Sequence, residues 1–224
     1  MARFCFNNLG RMEVKGRECV PPYGPLIVAS NHLSFTDPPL LVASIRRPLH
    51  FIGKQELFAN PVTRYFMSSF NVSPYNRSGM GVDAVKTFLR MLAEDKAVVI
   101  FPEGHRSDDR TLQKGMLGVV YLALKSQAPI LPVGLTGTEK IRAWRMPVPL
   151  HRLSANIGQP FSLPVIEGPV SKAVMNSILV MIMERIASLL PAQYRGVYGD
   201  RNNPAEGVGT PVSNGAESAP PGNG

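Results

Sequence analysis

Short unbroken apolar runs alternate along this chain with segments whose apolar residues recur every three to four positions. Leu26-Ile27-Val28-Ala29-Ser30 is one such run, and its continuity predicts a strand buried on both faces. Ala97-Val98-Val99-Ile100-Phe101 and Ile130-Leu131-Pro132-Val133-Gly134 read the same way. Between the runs lie helical signals. Asp37 followed by Pro38 and Pro39 predicts a helix start, with Asp37 as the cap, continuing through Leu40-Leu41-Val42. Asn60-Pro61 opens a short helix over residues 60–70. Val82, Val85, Phe88, Leu89 and Leu92 share one helical face. Residues 115–126 form another helix, and a longer one begins at Pro169 and runs to about Leu190. The alternation predicts an α/β fold, a single domain whose mainly parallel central sheet is flanked by helices.

The pattern stops near Tyr198. The last 26 residues contain 16 Gly, Pro, Asn or Ser and no aromatic residue. Such a stretch buries too little surface to offset its ordering entropy. Residues 1–198 are therefore expected to form the domain and residues 199–224 a disordered tail. The net charge is +8. Asp200, Glu206 and Glu217 against Arg201 make the tail −2, so the preceding 198 residues carry +10. An excess of that size favours anionic partners: phosphate groups, an acidic carrier, a lipid surface or nucleic acid. It also serves simple solubility. Cys5 and Cys19 make no disulfide framework and no metal-ligand spacing. They read as reduced and structural, in a cytosolic setting. No run approaches the 18 or more apolar residues of a spanning helix, so contact with lipid is expected at the membrane surface.

Two motifs carry chemistry, and each follows the C-terminal end of a predicted strand, where open α/β sheets place their ligands. The first is Asn31-His32-Leu33-Ser34-Phe35-Thr36-Asp37. Residues five apart sit about 140° apart on a helix and roughly 17 Å apart on a strand. His32 and Asp37 therefore meet only if the chain turns between them. The position, between a strand end and a helix start, allows that turn. Asp37 can then hold one imidazole nitrogen and leave the other ready to take a proton. An imidazole titrates ordinarily at about 6.5, which suits base work near neutral pH. The plainer alternative makes Asp37 only a helix cap and His32 only a core hydrogen-bonder.

The second motif is Phe101-Pro102-Glu103-Gly104-His105-Arg106-Ser107. Pro and Gly mark a tight turn that presents backbone and side chains to a ligand. Arg106 can hold a phosphate through two parallel hydrogen bonds. Glu103 can bind the turn's own backbone, brace an arginine, or contact an acceptor.

With the patterns H-x4-D and F-P-E-G-x-R-S together, the chain resembles the 1-acylglycerol-3-phosphate O-acyltransferase family (lysophosphatidate acyltransferases). The matches lie between Glu13 and Thr138. The resemblance implies that His32 and Asp37 are catalytic. It implies that Arg77 and Arg106 hold the acceptor phosphate, with Glu103 and Gly104 in the same subsite. Arg77 matches the arginine of a third family segment, here Asn71-Val72-Ser73-Pro74-Tyr75-Asn76-Arg77, where Asn71 stands for the usual Gly and Ser73 for an aliphatic residue. His105 stands where the family usually has Thr. Lys54, Lys114, His105 and Ser107 are further candidates for phosphate or donor contact, or are solvated. Ala128–Val133 matches a fourth segment, an apolar strand.

The resemblance implies acyl transfer from acyl-CoA or an acyl carrier protein to the 2-hydroxyl of 1-acyl-glycerol-3-phosphate, giving phosphatidic acid. It implies no cofactor beyond that co-substrate. A metal held by His32, His105, Asp37 and Glu103 is conceivable, but nothing in their spacing demands one; no nucleic-acid partner is expected, and the expected position is peripheral, at the cytoplasmic membrane face. No G-x-S-x-G nucleophile motif is present. Other acceptors keep the same chemistry: glycerol 3-phosphate, another lysophospholipid or a lyso-aminolipid. A non-catalytic binder of anionic lipid or nucleic acid is the rival from another class, and such a binder has no need of the His-Asp pair. For the membrane contact, the aromatic segment Phe58, Tyr65, Phe66, Met67 and Phe70 near Arg64 is preferred. The all-round apolar Ile178–Met183 reads as buried core.

Overall fold

A computed structural model of the chain describes residues 11–75, 82–141 and 151–199. Seven strands lie in one sheet: β1 (Arg11–Lys15), β2 (Leu26–Ser30), β3 (Leu49–Lys54), β4 (Val72–Tyr75), β5 (Ala97–Ile100), β6 (Ile130–Thr136) and β7 (Arg152–Ile157). Five α-helices connect or flank them: α1 (Asp37–Ser44), α2 (Pro61–Ser69), α3 (Val82–Ala93), α4 (Gly118–Ser126) and α5 (Lys172–Ser188). The strand order is β1-β7-β6-β2-β5-β3-β4. The five strands from β6 to β4 are parallel, each joined to the next in sequence by a helix. β7 runs antiparallel to β6, and β1 is parallel to β7, so one margin of the sheet is reversed.

β2 is buried along its whole length and divides the core by alternation. Ile27 and Ala29, with Val98 and Ile130, face a layer made of Phe88 and Leu92 of α3, Val120 and Leu122 of α4, and Ile182 and Ile186 of α5. Leu26 and Val28, with Val99, Leu131 and Val133, face Leu40 and Leu41 of α1. Each fully buried Leu or Ile contributes about 1.5–3 kcal/mol relative to exposure, so the central strands are fixed in place by apolar burial on two sides.

The helix limits differ from the sequence reading in informative ways. α4 begins at Gly118 and not at residue 115, because the preceding backbone is engaged elsewhere: the Gly115 N–H donates to the Tyr198 hydroxyl (3.3 Å) and the Met116 N–H to the Pro102 carbonyl (2.8 Å). α5 begins at Lys172 and not at Pro169, with the Ser171 hydroxyl accepting from the Val174 N–H. Leu179, Ile182 and Met183 are buried, which places the apolar segment of α5 in the core. α2 buries no residue and leaves Val62 and Tyr65 more than three-quarters exposed. No helix among the described residues is long and apolar enough to cross a membrane. Cys19 is an unpaired thiol, and Cys5 lies outside the described residues. So does the expected tail, apart from Gly199.

Candidate active site

Ala29 of β2 lies directly opposite Ile100 of β5. The two motif loops therefore leave the same edge of the sheet side by side. The His32 ring stacks on Phe101, with centroids 4.0 Å apart and planes within 15°. Just before it, Asn31 exchanges two hydrogen bonds with the backbone of Leu135 in β6, at 3.0 and 2.8 Å. The sequence reading assigned Asn31 no role. Its signal is a polar residue just past a buried apolar run, which must find a partner once buried itself.

The chain turns between His32 and Asp37 as the pairing demands. Asp37 Oδ2 accepts from His32 Nδ1 at 2.7 Å and from the Leu33 and Ser34 N–H groups at 2.6 and 2.8 Å. Asp37 is fully buried at the first position of α1. The helix cap falls on Thr36, with no side-chain capping bond, so the carboxylate serves the loop and not its own helix. This corrects the expectation that Asp37 is the cap. A carboxylate already accepting two N–H groups has no proton to give, so Nδ1 carries the proton. Nε2 then presents its lone pair, and no group among the described residues bonds to it. The imidazole is 18% exposed, enough to reach a substrate from the open side.

Glu103 occupies a different place from the phosphate contact expected of it. It is buried, with Oε1 accepting from the His32 N–H (2.7 Å) and Oε2 from the Gln113 N–H (2.8 Å). It binds backbone, though not that of its own turn as one option had it, and it fastens one motif to the other. Burial pushes its carboxyl up from 4.5 to about 7, against the opposing pull of the Gln113 and His32 N–H donors; nearby Asp37 adds to the rise. The His32 carbonyl is held in turn by the Ser107 N–H at 2.8 Å.

Gly104 turns the second loop at φ +74, a left-handed conformation that favours glycine. Arg106 is exposed on that turn, with its guanidinium carbon 3.9 Å above the centre of the Phe35 ring. Neither hydrogen bond nor ion pair engages that guanidinium among the described residues, so its N–H donors are free for an anion. His105 is exposed, and its Nδ1 donates to the Arg106 carbonyl at 3.0 Å. Ser107 is buried, its hydroxyl donating to Asp109. Lys54, at the end of β3, and Lys114, ahead of α4, are both exposed. Arg77 lies outside the described residues. Asn71, standing where the resemblance expects Gly, has φ +52. Asn is among the side chains that best tolerate this region, which explains how the turn into β4 survives the exchange. Among the described residues no group of three or more His, Cys, Asp or Glu could hold a metal ion.

The geometry thus offers a proton acceptor at Nε2 of His32, oriented by a buried carboxylate, beside an unpaired arginine. Comparison with known proteins identifies the family. The acyltransferase family model matches residues 11–136. The 1-acyl-sn-glycerol-3-phosphate acyltransferase of Bacillus subtilis is 30% identical over 146 residues, covering 61% of this chain and 72% of that protein. The chloroplastic 1-acyl-sn-glycerol-3-phosphate acyltransferase BAT2 of Brassica napus is 34% identical over 134 residues, covering 58% of this chain but only 39% of the plant protein. Among solved structures, the 1-acyl-sn-glycerophosphate acyltransferase PlsC of Thermotoga maritima superposes with a TM-score of 0.64 at 24% identity, covering 81% of this chain and 73% of that one. That likeness bears out the α/β fold with its mostly parallel sheet. The family match extends over more than half of the chain and includes both motifs: this chain belongs to the acyltransferase family.

Proposed function

We propose that the protein transfers a fatty acyl group from a thioester donor, acyl-CoA or an acyl carrier protein, to the 2-hydroxyl of 1-acyl-glycerol-3-phosphate, giving phosphatidic acid. The observation that carries this reading is the His32 Nδ1–Asp37 Oδ2 pair at 2.7 Å, with no bonding partner on Nε2 among the described residues. Nε2 takes the proton of the acceptor hydroxyl as its oxygen attacks the thioester carbonyl. The C–O bond forms and the C–S bond breaks. The proton then passes from the imidazolium to the departing thiolate. Asp37 stabilises the imidazolium through the charge-assisted bond at Nδ1. Arg106 binds the acceptor phosphate, joined by Arg77 as the family resemblance implies. The names of the Bacillus and Brassica relatives support this acceptor. Lipid reaches the site from a membrane surface, where the exposed Val62, Tyr65 and Phe66 of α2 provide apolar contact.

The experiment is an assay of purified protein with lysophosphatidate and either acyl-CoA or acyl carrier protein thioester, comparing wild type with His32→Ala. General-base catalysis is worth about 10²- to 10⁴-fold, so phosphatidate formation should fall by that factor in the variant. Equal turnover by the two proteins would reject His32 as the base. Absence of product from wild type with both donors would reject the acceptor and direct the assay to glycerol 3-phosphate and other lyso-lipids.

A further inference from the structure

Asp109 stands outside both motifs, yet four donors converge on one of its oxygens. Oδ1 accepts from the Ser107 hydroxyl (2.9 Å), the Thr111 N–H (2.9 Å), the Thr111 hydroxyl (2.8 Å) and the Gln113 side-chain amide (2.6 Å). These bonds hold its carboxyl down to about 2, so it is ionised wherever the enzyme works. The two outer partners, Ser107 and Gln113, are the residues whose backbone N–H groups reach the base. The Ser107 N–H donates to the His32 carbonyl, and the Gln113 N–H donates to Glu103, which accepts from the His32 N–H. The circuit closes: His32 carbonyl, Ser107, Asp109, Gln113, Glu103, His32 N–H.

We infer that Asp109 is a positioning residue for the catalytic base, clamping the 107–113 loop so that both peptide groups of His32 are held from one anchored turn. The loop needs such a clamp. It contains an arginine at φ +66 (Arg110), a conformation that favours glycine, and residues 108–110 are exposed between the buried Ser107 and Leu112. Asp37 fixes the imidazole at Nδ1 and the following peptide through the Leu33 N–H, but it does not reach the His32 N–H, which Glu103 holds. Without Asp109 the loop relaxes, and the ring drifts by a fraction of an ångström while still paired to Asp37. A shift of 1 Å can cost about 10²-fold in rate, so a smaller one costs on the order of tenfold.

This inference rests on the acyl-transfer reading for its kinetic arm, and a second arm stands without it. In the kinetic arm, Asp109→Ala lowers kcat on the order of tenfold while KM for the thioester donor stays within about twofold of wild type. Asp109→Asn, which keeps an acceptor oxygen, recovers most of the loss. A purely structural residue would lower the melting temperature and leave kcat per folded molecule unchanged; that result, or an equal loss in the Asn variant, overturns the inference. In the second arm, amide hydrogen exchange is followed on the free protein. Asp109→Ala should accelerate exchange at the His32, Ser107 and Gln113 amides, with β6 and β7 unaffected. Unchanged exchange at those three amides overturns the circuit whatever the substrate is. A wild type that does not acylate lysophosphatidate would retire the acceptor assignment, and the exchange arm would still decide this inference.

Discussion

Replacing Glu103 by Gln changes no shape and removes one ionisation. The carboxyl is 1% exposed, and burial raises it from 4.5 to about 7. In the unfolded chain it titrates near its ordinary value. Between about pH 4.5 and 7 the folded protein therefore keeps a proton on Glu103 that the unfolded chain has lost. A raised carboxyl contributes stability that is fully present below the lower value and is withdrawn as pH climbs to the upper one. At about 1.4 kcal/mol per unit the shift is worth about 3 kcal/mol. Gln is neutral throughout and lacks this dependence. It also turns an amide NH2 toward either the His32 or the Gln113 N–H, an unsatisfied donor pair costing about 1–3 kcal/mol at every pH. Urea unfolding of both proteins from pH 4 to 9 isolates the effect, because titrating groups not coupled to Glu103 cancel in the difference. Wild type should be more stable than Glu103→Gln by the largest margin near pH 4. That margin should shrink by about 3 kcal/mol by pH 8. A margin that is flat, or that grows with pH, would refute the reasoning. Growth would mean that the two N–H donors outweigh burial and that the carboxyl lies below its ordinary value when folded.

Two further outcomes follow from the site. Asp37→Asn should lower kcat by about 10²-fold: if the amide oxygen takes the Oδ2 place, its NH2 enters the buried position of Oδ1, which has no partner, and the imidazolium loses its counter-charge. The pH dependence of single-turnover rates checks this, and a rate within twofold of wild type would contradict it. Phe35→Leu removes the ring beneath Arg106. An exposed cation–π contact is worth about 0.5–1 kcal/mol, so KM for the phosphorylated acceptor should rise about two- to fivefold with kcat unchanged. The effect should vanish in an Arg106→Ala background, and its persistence there would place Phe35 against another part of the substrate.

The reach of the sequence is clearest in the central strands. β2, β5 and β6 are buried on both faces, so they read as unbroken apolar runs, and a helix follows β2 and β5 in the chain. The strands that escaped notice are marginal ones. β1 has only Met12 and Val14 as apolar residues between charges, and β4 is four residues long and contains Pro74. β3 and β7 are half-buried; β7 alternates, with Leu153, Ala155 and Ile157 buried, but it lies in a stretch that carries no motif. That β7 and β1 run against the rest depends on pairing across distant segments, which local pattern does not encode.

The site divides along the same line. The sequence by itself determined which side chains are chemically fit for the work: a His and an Asp separated by a segment that could turn, and an arginine on a Pro-Gly turn after a strand. Only the tertiary structure decided how they are used. The adjacency of β2 and β5 brings residues 32 and 103 together, and burial then compels the Glu103 carboxylate to take the N–H groups it finds there. Asp109 acquires its place for the same reason, since its partners become a circuit around His32 only after the loop has packed against β2. Residue type limits what a group can do, and that much is local. Which donors and acceptors meet is settled by the packing of strands far apart in the chain, because a buried polar group must find its partner among whatever the fold places within about 3 Å.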